Sequence, residues 1–479
     1  MKGASVKFTP LLNRRNDMPL YHQLYEYIKK EIVSSRVEVN DKLPSIRSLA
    51  DYLNVSRNTV DMAYQQLLAE GYVESRPKSG LYVTNTQFDL LQTDRKPTVF
   101  LHPHSETKSC TYDFRYGKVD SRLFPLNEWK KRYNESLQTY REALFTYQES
   151  QGEESLREEI ATYLYQSRGV ACSKHQIIIG AGTQQSLSLL AQMLKQSIRD
   201  IAFENPCYDG ASFVFKQHGF SLKPVSLNNK GINIQELYDS QARAVYVTPS
   251  HQFPYGMIMP VSRRIELLKW ANDCNGFVIE DDYDGEFRYK GSPIPSLQSL
   301  DTKGRVIYTG TFSKSFMPSL RISYLVLPEV LLKEYHERFS LYEQAVPTLH
   351  QQTLGLIMKN GEWNKHLRRV RTAYQLKHGT LLAALQKEFN ENITISGEFA
   401  GLHILVRVRN DMKEQQLINA ARKQDVSVYG TSRYWLTEVP KQKPHILLGF
   451  GSLGKEEIEE GIRRLKKLGH KSMLIFSVS

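Results

Sequence analysis

A chain of 479 residues with 41% hydrophobic and 24% charged residues is too long for one ordinary core and too apolar to stay unfolded, so two or three globular domains are expected. The formal net charge of +12 favours approach to a polyanion but does not by itself establish a nucleic-acid partner. Cys110, Cys172, Cys207 and Cys274 have no disulfide-framework or metal spacing, Met1 to Pro10 lack a signal-like apolar run, and no stretch reaches bilayer length; a cytoplasmic setting without membrane association is expected.

Pro19 opens a helical pattern in which Leu20, Leu24, Ile28 and Ile32 recur every fourth residue. Ser45 is a good N-cap for a second helix carrying Ile46, Leu49, Ala50 and Leu53 at helical spacing. Asn54-Val55 makes a turn, Ser56 caps a third helix with Val60, Tyr64, Leu67 and Leu68 on its inner face, and Gly71 is placed to end it. Two short strands, Tyr72-Val73-Glu74 and Leu81-Tyr82-Val83, flank Arg76-Pro77-Lys78-Ser79-Gly80 and predict the wing of a winged helix. A recognition helix reads bases mainly through its N-terminal residues, here Arg57, Asn58 and Thr59, and Lys78 at the wing tip is placed to meet a phosphate or the minor groove.

From 87 to 110 the chain shows no sustained period and reads as a linker; His102 and His104 lack acidic or thiol partners nearby, so no metal site is expected. From 111 to 479 helical stretches alternate with short apolar runs, the pattern of an α/β sheet. The runs end informatively: Ile177-Ile178-Ile179 before Gly180-Ala181-Gly182-Thr183 and a helix starting near Ser186, Phe203 before Glu204-Asn205-Pro206-Cys207-Tyr208, Val247 before Thr248-Pro249-Ser250-His251, Ile279 before Glu280-Asp281-Asp282-Tyr283, and Tyr308 before Thr311-Phe312-Ser313-Lys314. In open α/β sheets ligands gather at the carboxyl ends of strands, so these endings are expected to converge. Each alone is an ordinary turn, cap or surface lysine. Together, a lysine among hydroxyls, an arginine seven positions on at Arg321 and a carboxylate at a strand end form a kit for pyridoxal 5′-phosphate, which needs an amine, phosphate donors and a partner for its ring nitrogen. The run Arg463-Arg464-Leu465-Lys466-Lys467 reads as a solvated helix face.

Residues 43–50, 55–60 and 67–72 resemble the GntR family of regulators, and this resemblance implies operator contacts by Arg47 and Arg57. Residues 111–479 resemble fold-type I pyridoxal-phosphate aminotransferases with large and small subdomains. That resemblance implies Lys314 as the Schiff-base lysine, Asp281 at the pyridinium nitrogen, Tyr283 on the ring hydroxyl, Tyr208 stacked on the ring, and Thr311, Ser313, Arg321, Gly182 and Thr183 around the phosphate. Arg433, in Tyr429-Gly430-Thr431-Ser432-Arg433, falls where aminotransferases present an arginine to a substrate carboxylate.

The order of winged helix (1–86), linker (87–110) and aminotransferase-like domain (111–479) is similar to that of the MocR/GabR subfamily, most of all its GabR branch, which senses γ-aminobutyrate. Two departures stand out. Phe253-Pro254-Tyr255-Gly256 lacks the asparagine that usually bonds the ring hydroxyl, which places more weight on Tyr283, and Gly210 stands where the γ-aminobutyrate sensors have an effector-binding arginine. The implied function is a homodimeric, pyridoxal-phosphate-dependent transcription regulator that binds double-stranded operator DNA and senses an amine or amino acid through external aldimine formation at Lys314. The alternative is a working aminotransferase with an appended DNA-binding domain.

Overall fold

The computed structural model describes residues 8–14, 17–84, 110–289, 294–439 and 444–471. The chain forms two compact units, Met1–Glu106 and Thr107–Ser479. The predicted linker, with His102 and His104, lies outside the described residues except at Cys110.

In the first unit α1 (Leu20–Val33), α2 (Ile46–Leu53) and α3 (Arg57–Ala69) precede a hairpin of β1 (Val73–Arg76) and β2 (Gly80–Val83), with Val73 opposite Val83 and Arg76 opposite Gly80. Ser45 Oγ accepts from the Ser48 amide and Ser56 Oγ from the Thr59 amide, both at 3.1 Å, so each serine satisfies an amide that the helix start leaves unbonded. Asn54 ends α2 in the left-handed region at φ 50°, and Gly71 leaves α3 at φ 77°, a conformation a residue without Cβ adopts at little cost. Leu24, Ile28, Val60 and Leu67 are fully buried in the core these elements share, and Phe8, absent from the predicted core, joins them. Tyr64 donates to the Pro44 carbonyl at 3.0 Å and ties α3 to the entry of α2.

The second unit begins with β3 (Tyr112–Asp113) and continues with β4 (Ile177–Gly180), β5 (Asp200–Asn205), β6 (Ser221–Asn228), β7 (Gly231–Ile232), β8 (Ala244–Val247), β9 (Phe277–Asp282), β10 (Val306–Thr311) and β11 (Ser323–Val326). Strands β4 to β11 form one sheet in the order 4-11-10-9-8-5-6-7, parallel from β6 through β10, with β11 and β7 reversed. Since β11 runs against both β10 and β4, the carboxyl ends of β4, β5, β8, β9 and β10 share one edge. Every residue of β4, β8, β9, β10 and β11 is buried, as expected for a sheet covered by helices on both faces. Helices Thr183–Leu194 and Asp209–Gln217 pack Leu187, Leu190 and Phe215 against one face, while Val261–Asp273 brings Leu267 and Trp270 to the other.

A smaller antiparallel sheet contains β12 (Ile393–Ser396), β13 (His403–Val408), β15 (Tyr429–Gly430) and β16 (His445–Gly449), while β14 (Val426–Ser427) pairs with β3. Helices Glu362–Phe389 and Lys455–Lys471 cover this sheet's core. Arg463 is exposed and pairs with Glu460, as a solvated helix face should. Several boundaries differ from the sequence reading: β1 and β2 reach Arg76 and Gly80 across the wing, and β5 and β10 run on through Asn205 and Thr311. The helix predicted near Ser186 starts at Thr183, because Gly182 at φ 93° turns the chain directly into it. Strand β9 runs on through Asp282, held by parallel pairing of Asp281 with Thr309 and Asp282 with Gly310.

Replacing Ser56 by Ala removes the cap of α3. The expected result is a local loss of about 1 kcal/mol, seen as several-fold faster amide hydrogen exchange in the first turn of α3 with exchange in the β4–β11 sheet unchanged.

Candidate functional site

The shared strand edge opens onto a cavity of ≈ 210 Å³ lined by eight of the predicted residues: Thr183, Tyr208, Asp281, Tyr283, Thr311, Ser313, Lys314 and Arg321. Gly182 borders it, as a Cβ there would run into the Arg321 guanidinium. Tyr116, Gln184, Phe253 and Pro318 also line it; the sequence assigns none of them a site role, and Phe253 enters it only in the stretch that lacks the usual asparagine.

Period-2 alternation along β9 sorts its acidic run. Glu280 caps the backbone amides of Leu297 and Gln298 at 2.7 and 2.9 Å, and Asp282 binds Arg168 and the Tyr308 hydroxyl, each at 2.6 Å. Asp281 points instead into the cavity. Its Oδ2 accepts from the Tyr246 hydroxyl, and its Oδ1 is buried with no hydrogen-bond partner. Burial pushes the Asp281 carboxyl up to about 7, with Tyr246 opposing the rise. A buried acceptor with an unused oxygen demands a donor, and a protonated ring nitrogen is such a donor.

Lys314 Nζ lies 4.1 Å from the Tyr116 ring centroid. Burial lowers its pKa from 10.5 to about 8, against the pull of Asp284 and Asp281, so an appreciable share of the side chain is the nucleophilic free amine near neutrality. On the other side, the N-terminus of the helix Thr183–Leu194 meets Arg321, whose Nη2 donates to the Ala181 carbonyl at 3.3 Å. The Thr311 and Ser313 hydroxyls lie 2.9 Å apart beside it. Helix amides, a guanidinium and two hydroxyls make a dianion cradle.

Tyr283 is steered from below. Its hydroxyl donates to the His251 carbonyl at 2.8 Å and lies 3.0 Å from His251 Nδ1, which in turn is 3.0 Å from Asp284 Oδ2. His403 Nε2 is 2.9 Å from the Pro254 carbonyl, and its ring packs against His251. The histidines thus serve a hydrogen-bonded support beneath the phenol. Arg433 is not brought into this cavity: it lines an adjoining, more open one of ≈ 840 Å³ and is bound to Asp209.

In the first unit, Arg57, Asn58 and Lys78 are exposed and the Arg47 side chain is 77% exposed, whereas the Thr59 hydroxyl is engaged with Ser56 Oγ at 2.8 Å. Lys78 sits at the hairpin turn with φ 60°. Arg76 is a strut: its Nη2 donates to Asn40 Oδ1 at 2.6 Å and its guanidinium lies 4.4 Å from the Tyr82 ring centroid.

Residues 20–83 match the bacterial regulatory protein GntR family, and residues 110–465 match the aminotransferase class I and II family. The chain is 45% identical over 461 residues to the uncharacterized HTH-type transcriptional regulator YdeL of Bacillus subtilis (strain 168), covering 96% of this chain and 99% of that one. It is 32% identical to the probable rhizopine catabolism regulatory protein MocR of Rhizobium meliloti, with 95% of each covered. The solved α-aminoadipate aminotransferase LysN of Thermus thermophilus, complexed with N-(5′-phosphopyridoxyl)-L-leucine, superimposes with a TM-score of 0.66 at 25% identity over 76% of this chain and 93% of that one. Fold and cavity therefore define a DNA-binding regulator built on a fold-type I, pyridoxal-phosphate-dependent aminotransferase scaffold. The chain belongs to the MocR/GabR subfamily of GntR-family regulators. Pyridoxal 5′-phosphate fits what the site offers: an amine of lowered pKa, an unsatisfied carboxylate oxygen and an anion cradle.

Two measurements probe the fit. Gly182→Ala, which drives a methyl into Arg321 from a backbone that disfavours side chains, should weaken pyridoxal phosphate binding about tenfold while the far-ultraviolet circular dichroism is retained. Attack on an aldehyde requires the unprotonated amine, so the rate at which apoprotein takes up the cofactor should rise with pH through about 8 and level off above it, well below the ordinary lysine value of 10.5.

Proposed function

We propose that this regulator senses an amine or amino acid by letting it exchange with Lys314, and that the exchange alters operator affinity. The observation that carries the reading is Lys314 itself, poised with a pKa of about 8 between Tyr116 and Asp281 in a chain that also carries an intact winged helix. When bound, pyridoxal phosphate supplies an aldehyde that condenses reversibly with amines and a ring that withdraws electrons while its nitrogen is protonated.

The protein's own groups do the rest. Arg321, Thr311, Ser313 and the amides after Gly182 would anchor the phosphate, Asp281 would hold the ring-nitrogen proton, and Tyr283 would bond the ring hydroxyl, oriented by His251. Tyr208 would cover the ring face. Lys314, when not joined to the cofactor, would stand as a free amine able to take up a proton beside Asp281 and within the electrostatic reach of Asp284, which would change the charge and packing there. A ligand shifts a conformational equilibrium only by its differential affinity for the two states, and this local change supplies that difference.

On the DNA side, Arg57 and Asn58 would read base edges while Arg47 and Lys78 meet phosphates, and Thr59 acts through the α3 cap. A homodimer would present two winged helices to two half-sites. Phe145, Tyr147 and Leu341 on the aminotransferase-like unit are 83%, 89% and 94% exposed, and a partner subunit would be expected to cover some of them. Retention of Lys314 also supports a second reading, slow transaminase turnover, with the released amine as proton carrier.

Lys314→Ala should abolish borohydride fixation of the cofactor and every effect of amines on operator binding. Arg57→Ala should weaken operator binding at least about tenfold and leave the cofactor absorbance unchanged. Amine-responsive DNA binding in Lys314→Ala would overturn the sensing reading, and steady production of keto acid by the wild type would establish the second.

A further inference from the structure

The cofactor cavity and the ≈ 840 Å³ cavity are both lined by Tyr208 and Gln184, so the second space is where the outer end of a compound whose amine reaches Lys314 would come to lie. Its charged lining consists of Asp209, Arg433 and Lys216. Asp209 opens the helix Asp209–Gln217 directly after Tyr208, and Arg433 comes from the short turn Ser432–Tyr434. The two are already joined. Arg433 Nε and Nη2 lie 2.8 and 2.5 Å from Asp209 Oδ2, so both contacts fall on one oxygen and Oδ1 remains as an acceptor. The arginine side chain is 70% exposed and the aspartate 29% exposed, so the pair faces the cavity instead of the core. Gly210 adds no cation here, and a Cβ at this position would require the Tyr208 ring to shift.

A carboxylate entering this space competes with Asp209 for Arg433 and stands beside the Asp209 charge, leaving the exposed Lys216 as the other cation that could meet it. An ammonium meets Arg433 and Lys216 with the same sign. An uncharged polar group finds a donor and an acceptor side by side and leaves the pair intact.

Resting on the sensing reading above, we infer that the Asp209–Arg433 pair selects an amino compound whose outer end is uncharged and hydrogen-bonding, such as an amide or hydroxyl, and disfavours a free carboxylate. Specificity then lies in a neutralised arginine. Asp209 acts as the internal competitor of anionic effectors.

The test uses the full-length holoprotein and three compounds of matched length: 4-aminobutanamide, γ-aminobutyrate and 1,4-diaminobutane, titrated against the cofactor absorbance. The wild type should bind the amide most tightly. Asp209→Asn should tighten γ-aminobutyrate about tenfold by removing the competing charge, and Arg433→Gln should tighten 1,4-diaminobutane. Tightest binding of either charged compound by the wild type overturns the inference, as does weaker γ-aminobutyrate binding in Asp209→Asn, which would make Asp209 a positioning residue for Arg433. In those outcomes amine sensing itself stands. If none of the three compounds perturbs the cofactor in any of the proteins, both the inference and the sensing proposal fall.

Discussion

The parallel register of β9 against β10 is the constraint on which the cofactor site rests. Pairing of Asp281 with Thr309 and of Asp282 with Gly310 decides which of two adjacent carboxylates faces the cavity and where the following Thr311–Lys314 loop emerges. A slip of one residue would exchange the two faces, turning Asp282 inward and stranding the buried Arg168 that it neutralises. The register is secured on both sides, by β8 against β9 and by β11 against β10.

Around that register the protein keeps ionisable groups where water is scarce. Glu204, Glu280, Asp281 and Glu286 are all pushed up to about 7 by burial, while Lys314 is pulled down to about 8. Glu280 and Glu286 are met by protein donors, the amides of Leu297 and Gln298 and the Tyr163 hydroxyl respectively, while Glu204 accepts from Thr248 on Oε2 and keeps a buried, unbonded Oε1 that does not line the cavity. Asp281 differs in keeping an unbonded oxygen toward the cavity, and that difference separates a ligand-facing acid from a structural one.

The first unit is built by cheaper means. Two serine caps and one apolar core hold α2 and α3, leaving Arg57 and Asn58 exposed at the helix start. Among the described residues, the core of that unit is made by its own side chains. On the proposed sensing reading, an effector would couple DNA binding to amine chemistry by biasing one equilibrium, for which a few kcal/mol of differential affinity is enough.

Much of this was legible in the chain because it depends on local rules. Apolar residues at helical spacing, Ser45 and Ser56 as caps, and apolar runs ending in Gly182, Tyr208, Asp281 and Lys314 foretold the winged helix, the α/β sheet and the gathering of its strand ends. Tertiary structure alone decided what depends on contacts between distant segments. Tyr116 reaches Lys314 from a turn nearly two hundred positions earlier, His251 and Asp284 come together beneath Tyr283, and Arg433 meets Asp209 across more than two hundred residues instead of entering the cofactor cavity. Periodicity and capping act over a few residues and are written in order along the chain; the partner of a charged side chain is set by which strands and turns the sheet brings to one edge, and no local pattern encodes that.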